Sequence, residues 1–257
     1  MPVKTICVVP HGGILINGRA NTKKTIKGFE CVAKKLSKKN ISHLFIVDPH
    51  DIIHRQKFMC FLSSVYSEEK PESRNKIDRI YMGSAALNLA LLSIKSNYIS
   101  HKVEINHNIK WGSSVPLYFL SGKNRSITVA SIDRKIPTND IRKAGCEIFE
   151  LLNNRQENIA IVLSCDLSHS HSTENLDFPY HCNSKIYDDH VYNTVNMQKI
   201  ENYNDIPDII IETARTDAHA QLTMLAGICT KYSYCSKVFS YEIPSYYGML
   251  TGIIELE

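Results

Sequence analysis

Three short apolar runs in this chain end on histidine. They read Val8-Val9-Pro10-His11-Gly12-Gly13, Ile46-Val47-Asp48-Pro49-His50-Asp51 and Val162-Leu163-Ser164-Cys165-Asp166-Leu167-Ser168-His169-Ser170-His171. Proline before His11 and His50 stops a strand sharply, and Gly12-Gly13 lets backbone approach closely. Imidazole nitrogens and carboxylate oxygens hold zinc, iron and copper, and an imidazole titrating near neutrality also moves protons. One loop histidine is ordinarily a hydrogen-bonding residue. Three at three strand exits, two of them beside carboxylates, point to a metal centre.

Such a centre needs a third ligand. Two histidines and one carboxylate leave three positions of octahedral iron(II) for substrate and dioxygen. Asp217 is the favoured carboxylate, because it opens the apolar stretch Ala218–Cys229, where a negative charge also suits a helix start. His219 and Glu212 stand close by as substitutes, and Glu242 before Ile243-Pro244 is a weaker option. Asp166, Ser168 and His169 also suggest a hydrolase triad, but no G-x-S-x-G elbow is present and sequence neighbours rarely form one. His43, His54, His101, His107, His181 and His190 have no comparable placement and read as surface or core residues.

Alternating strands and helices must position these groups. Thr5–Val9, Leu44–Val47, Phe58–Val65, Ser126–Ile132 and Ile159–Leu163 read as buried strands, with Lys237–Glu242 and Met249–Leu256 closing the chain. Thr22–Lys39, Ala85–Ile94, Asn139–Leu152, Ser184–Val195 and Thr216–Cys229 read as helices. Strands without polar alternation, separated by helices, imply a sheet covered on both faces. The expectation is one α/β domain over residues 1–257, with a largely parallel or mixed central sheet and helices on both faces. Ligands in such folds bind beyond the carboxyl ends of the strands, where the three histidines stand. The charged Ser67–Asn75 stretch, containing Pro71, reads as a mobile loop.

Composition narrows the function class. The 257 residues carry 30 basic and 26 acidic side chains, a net charge of +4. That is too small and too evenly spread to argue for nucleic acid, and Lys34-Lys35-Leu36-Ser37-Lys38-Lys39 reads as the solvated end of a helix. No apolar run reaches the roughly 18 residues of a membrane span, since Ala85–Ile94 is short and broken by Asn88 and Ser93. The start Met1-Pro2-Val3-Lys4 lacks a secretory pattern, so a soluble cytoplasmic protein is expected. Eight cysteines without a C-x-x-C pair read as small buried hydrophobes.

At these residues the chain resembles the class III extradiol ring-cleavage dioxygenases of the LigB type, and their Memo-like structural relatives. Pro10-His11-Gly12-Gly13 and Asp48-Pro49-His50 resemble the two metal-histidine motifs, and Ser164-Cys165-Asp166-Leu167-Ser168-His169 the S-x-D-L-S-H segment. Phe178-Pro179-Tyr180-His181, Asp217-Ala218-His219-Ala220-Gln221-Leu222 and Tyr241-Glu242-Ile243-Pro244 follow in the family's order, as does Tyr247-Gly248-Met249-Leu250-Thr251-Gly252.

The resemblance implies a non-haem Fe(II) site of His11, His50 and Asp217, acting on dioxygen and a small aromatic substrate, a catechol or aminophenol. His169 would be the acid/base and Asp166 an orienting catalytic residue that is not itself a ligand, with Trp111, His171 and His219 facing the substrate. Two departures stand out. Aspartate occupies the third-ligand position where the dioxygenases usually carry glutamate, and Trp111 stands where a histidine commonly precedes the glycine; His107 is a candidate to compensate. The alternatives are a Memo-like metal protein with copper or iron redox or a partner role, and a zinc-dependent hydrolase. The class assembles as dimers or with a small companion subunit, and a homodimer is one expectation here.

Overall fold

In the computed structural model, residues 3–16, 21–50, 56–68, 79–122 and 124–257 are described. The first half contains β1 (Val3–Val9), α1 (Lys23–Lys38), β2 (His43–Asp48), β3 (Phe58–Glu68), β4 (Ile80–Met82), α2 (Ala85–Leu92) and β5 (Ile99–Ile109). It continues through α3 (Trp111–Leu120), β6 (Ser126–Ile132), α4 (Thr138–Asn153), β7 (Ile159–Ser164) and α5 (Asn183–Asn196). The chain ends with α6 (Asp208–Ala214), α7 (His219–Cys229), β8 (Tyr234–Glu242) and β9 (Met249–Leu256).

These strands form one mixed sheet in the order β4-β3-β6-β2-β7-β1-β9-β8, with β5 paired to β3. Its centre, β6-β2-β7-β1, is parallel, whereas β3 on β6 and β9 on β1 run antiparallel. Side chains alternate between two apolar layers. Val8, Val47 and Leu163 enter the layer beneath α4, α5 and α7, while Val9, Ile46 and Val162 enter the layer beneath α1 and α3. Both faces are dry, so the central strands read as unbroken apolar runs. This is the α/β architecture with a mixed sheet and helices on both faces that the sequence implies.

The surface helix α1 buries Phe29, Val32 and Leu36 along one stripe and turns its lysines outward. Four elements, β4, β5, α3 and α6, are absent from the sequence reading. Strand β5 is absent from it because among the described residues it pairs with β3 alone and is half polar, with Val103 and Ile105 67% and 83% exposed. Helix α3 is hidden by its own composition, with Gly112, two serines and Pro116 within ten residues. Ser67 and Glu68 close β3, while the rest of the expected 67–75 loop, and His54, lie outside the described residues. All eight cysteines are free and five are buried. No helix among the described residues is long and apolar enough to cross a membrane.

Candidate metal centre

Strand order brings the three histidine-bearing exits together. β7 lies between β1 and β2, all parallel, with Val9 level with Ser164 and Val47 level with Leu163. Their carboxyl ends therefore open on one edge, and the Cys165 N–H bonding to the Val9 carbonyl at 2.9 Å keeps two of the exits in register. Asp217 reaches the same edge from the α6–α7 connection. There Arg215 adopts a left-handed conformation (φ 54°) that reverses the chain.

The ligand atoms converge. His11 Nε2 lies 2.9 Å from His50 Nε2 and 3.1 Å from Asp217 Oδ2, and His50 Nε2 lies 3.9 Å from the same oxygen. Neighbouring ligands on an ion with bonds of roughly 2.1 Å sit about 3.0–3.4 Å apart, so this spacing suits a transition ion. The His11 tautomer is set from behind. Pro116 has no N–H, so the Gly112 carbonyl four residues earlier has no helical partner and accepts the Ser164 hydroxyl instead. That leaves Ser164 Oγ to accept from His11 Nδ1, 3.1 Å away, and turns the Nε2 lone pair toward the cluster. Gly112 is also where α3 passes closest to the site: a Cβ there would lie 2.8 Å from His50 Cδ2.

His50 and Asp217 are held as firmly. The His50 N–H donates to Asp48 Oδ1 at 2.6 Å, and the second Asp48 oxygen accepts from the Ser113 hydroxyl of α3. Asp217 Oδ1 accepts the Asp166 N–H at 2.9 Å, which leaves Oδ2 facing the histidines. Asp166 Oδ1 in turn accepts the His11 N–H at 3.0 Å. Burial opposes a charge on His11, but Asp166 and Asp217 outweigh it and raise the pKa to about 9. Burial also works against the Asp217 charge, yet the facing histidines, His11 foremost, hold its pKa low. Asp166 moves the other way, raised by burial and by the neighbouring Asp217 charge. A divalent cation would relieve this crowding of carboxylates, so the residues fit a metal ion.

His169 faces the cluster from the β7 exit, its Nε2 3.8 Å from Asp217 Oδ2. Its Nδ1 donates to the Arg215 carbonyl at 3.0 Å, so the neutral ring presents an unprotonated Nε2. Phe178, Tyr246 and Tyr247 stand around the ring at centroid distances of 5.5–6.0 Å. Asp166, His169 and Asp217 also form a compact donor group of their own, sharing Asp217 with the first.

The other expected site residues are distributed differently. Trp111, 54% exposed, packs against His50 in a tilted arrangement with ring centroids 4.5 Å apart, outside the ligand cluster. His171 turns away, bonded through Nε2 to buried Asp188 at 2.8 Å. His219 bonds the Tyr203 hydroxyl at 3.1 Å, and Glu242 accepts from Thr25 on α1, remote from the centre. His107 is buried in β5 against Phe61.

A cleft of about 370 Å³ opens beside His50 and Asp217, lined also by Pro49, Ile132, Asp133, Arg134 and Lys135. Arg134 and Lys135 also line an adjoining cleft of about 620 Å³ that includes Phe178, Arg215 and His219. The sequence carried a signal for Arg134 and Lys135, since they follow Ser126–Ile132, a fourth strand exit beside β2. Ser164 and the second oxygen of Asp48 carry no such signal, because their partners, Gly112 and His11 for the one and Ser113 for the other, lie far away in the chain.

The fold is similar to that of the crystal structure of "uncharacterized protein JW3007 from Escherichia coli K12", with a TM-score of 0.66 and 13% identity. That similarity covers 97% of this chain and 99% of the other. No match was found among curated proteins. Residues 6–250, nearly the whole chain, match the family described as the catalytic LigB subunit of aromatic ring-opening dioxygenase, and the chain belongs to that family.

Proposed function

We propose that this protein is a non-haem iron(II) extradiol-type dioxygenase that cleaves a small catechol or aminophenol. The observation that carries this reading is the convergence of His11 Nε2, His50 Nε2 and Asp217 Oδ2, with His169 Nε2 facing the same carboxylate. LigB dioxygenases generally use iron(II), and two imidazoles with one carboxylate are the donor set of non-haem iron(II) oxygenase sites, which supports that metal. Bound there, the metal would supply Lewis-acid and redox chemistry for dioxygen and for a ring with adjacent heteroatoms.

The protein's own groups do the rest. His11, His50 and Asp217 would hold the ion, beside the cleft that His50 and Asp217 line. His169 accepts the ring-hydroxyl proton at Nε2, and Asp217 and Asp166 stabilise the resulting imidazolium. The Arg215 carbonyl keeps Nδ1 protonated throughout, so one nitrogen alone exchanges protons with the substrate. Phe178, Tyr246 and Tyr247 exclude water around that ring. The 370 Å³ cleft is of a size for a single-ring substrate.

Oxygen uptake and a new visible absorbance with a panel of catechols and aminophenols test the proposal on iron-loaded protein. Uptake with at least one member is expected. No uptake with any member would contradict it and favour a Memo-like metal protein.

A further inference from the structure

Asp188 lies on α5, fully buried and outside the ligand cluster, yet its carboxylate accepts three hydrogen bonds. The Ser168 N–H donates to Oδ1 at 2.9 Å, and His171 Nε2 and the Tyr241 hydroxyl each donate to Oδ2 at 2.8 Å. Ser168 and His171 flank His169 in the chain. A buried carboxylate needs such donors, and once they are in place it fixes them tightly. Gly248 closes the enclosure, since a Cβ there would lie 2.0 Å from Asp188 Oδ2. Its N–H donates to the Ser168 carbonyl at 2.9 Å, and its own carbonyl accepts the Leu167 N–H at 2.8 Å. The segment is therefore tied to one group on α5 on both sides of His169, through the Ser168 N–H before it and the His171 side chain after it, while the Arg215 carbonyl aims the ring.

We propose that Asp188 is a positioning residue for His169, fixing the 168–171 segment from both sides so that Nε2 stays directed at Asp217. This rests on the acid/base role given to His169 above. Tyr241 supplies an internal control, because it bonds the same carboxylate oxygen from β8 without belonging to the His169 segment.

The test reads His169 directly, by long-range ¹H–¹⁵N spectra of ¹⁵N-histidine-labelled, zinc-loaded protein. Wild type should show His169 as the Nδ1-protonated tautomer. Asp188→Asn and His171→Leu should bind zinc as wild type does, yet show His169 in mixed tautomers. His171→Gln, whose amide N–H can meet the same oxygen, should restore the wild-type signal, and Tyr241→Phe should retain it. If a substrate emerges, Asp188→Asn should lower kcat on the order of ten- to a hundredfold with KM little changed.

An unaltered His169 signal in both Asp188→Asn and His171→Leu would overturn the proposal. So would an equal disturbance in Tyr241→Phe, which would signify general loosening. If Asp188→Asn fails to fold, the His171→Leu and His171→Gln pair decides. None of these spectra depends on turnover, so failure of the dioxygenase reading, seen as absent oxygen uptake in wild type, is a separate result.

Discussion

Residue roles at the centre separate by what each side chain touches. His169 faces Asp217 but lies outside the His11–His50–Asp217 donor group, so His169→Ala should retain the metal. Its turnover should fall by about 10²-fold or more, measured as oxygen uptake per bound iron. Ser164 meets His11 on its far side, away from the ligand atoms, where it accepts from Nδ1. Ser164→Ala should lower metal affinity by about 10–100-fold in a competitive chelator titration, because the imidazole loses the partner that sets its tautomer. An affinity unchanged from wild type would remove Ser164 from the centre. The sequence makes His11, His50 and His169 legible because each follows a strand that announces itself as an apolar run. Ser164 and Asp48 stand in the same motifs but act through Gly112 and Ser113, remote in sequence, so their roles appear only after folding.

Helix α3 shows how an element that is poor in isolation can serve the site. Pro116 within a helix costs about 3 kcal/mol relative to alanine, and Gly112 adds roughly 1 kcal/mol more. The same two residues release the Gly112 carbonyl for Ser164 and let the helix pass against His50. Pro116→Ala should therefore raise thermal stability while weakening metal binding by up to about tenfold, as the new N–H competes for that carbonyl. Melting curves and chelator titration on the same sample test both halves, and a stabilised variant with undiminished affinity would contradict the coupling. Gly112→Ala should weaken binding further by pressing on His50. The features that hide α3 from a periodicity reading thus bear on its function. Strand β5 escapes the reading for a plainer reason: pairing with β3 alone among the described residues, it lacks the two-sided burial that marks β1, β2 and β7.

Across the whole molecule, stability and metal binding are separable through histidines in different places. His43 begins β2, 1% exposed, and burial lowers its pKa from 6.5 to about 4. Above pH 6.5 the ring is neutral in both folded and unfolded chains, and this stability is fully present. As pH falls below 6.5 the unfolded chain takes up the proton first, so stability declines until about pH 4, a loss of about 3 kcal/mol in all. His43→Asn should make denaturant-unfolding stability less dependent on pH over that window than wild type; an identical slope would contradict this. The parallel centre of the sheet, legible from its apolar runs, is what sets the strand ends side by side; the approach of Asp217 depends on the Arg215 turn, which no periodicity reveals. The central claim is that His11, His50 and Asp217 hold one ion, and anaerobic titration with iron(II) tests it most directly. Wild type should take up about one iron per chain and His11→Ala, His50→Ala and Asp217→Ala little or none, whereas full iron content in both histidine variants would contradict the account.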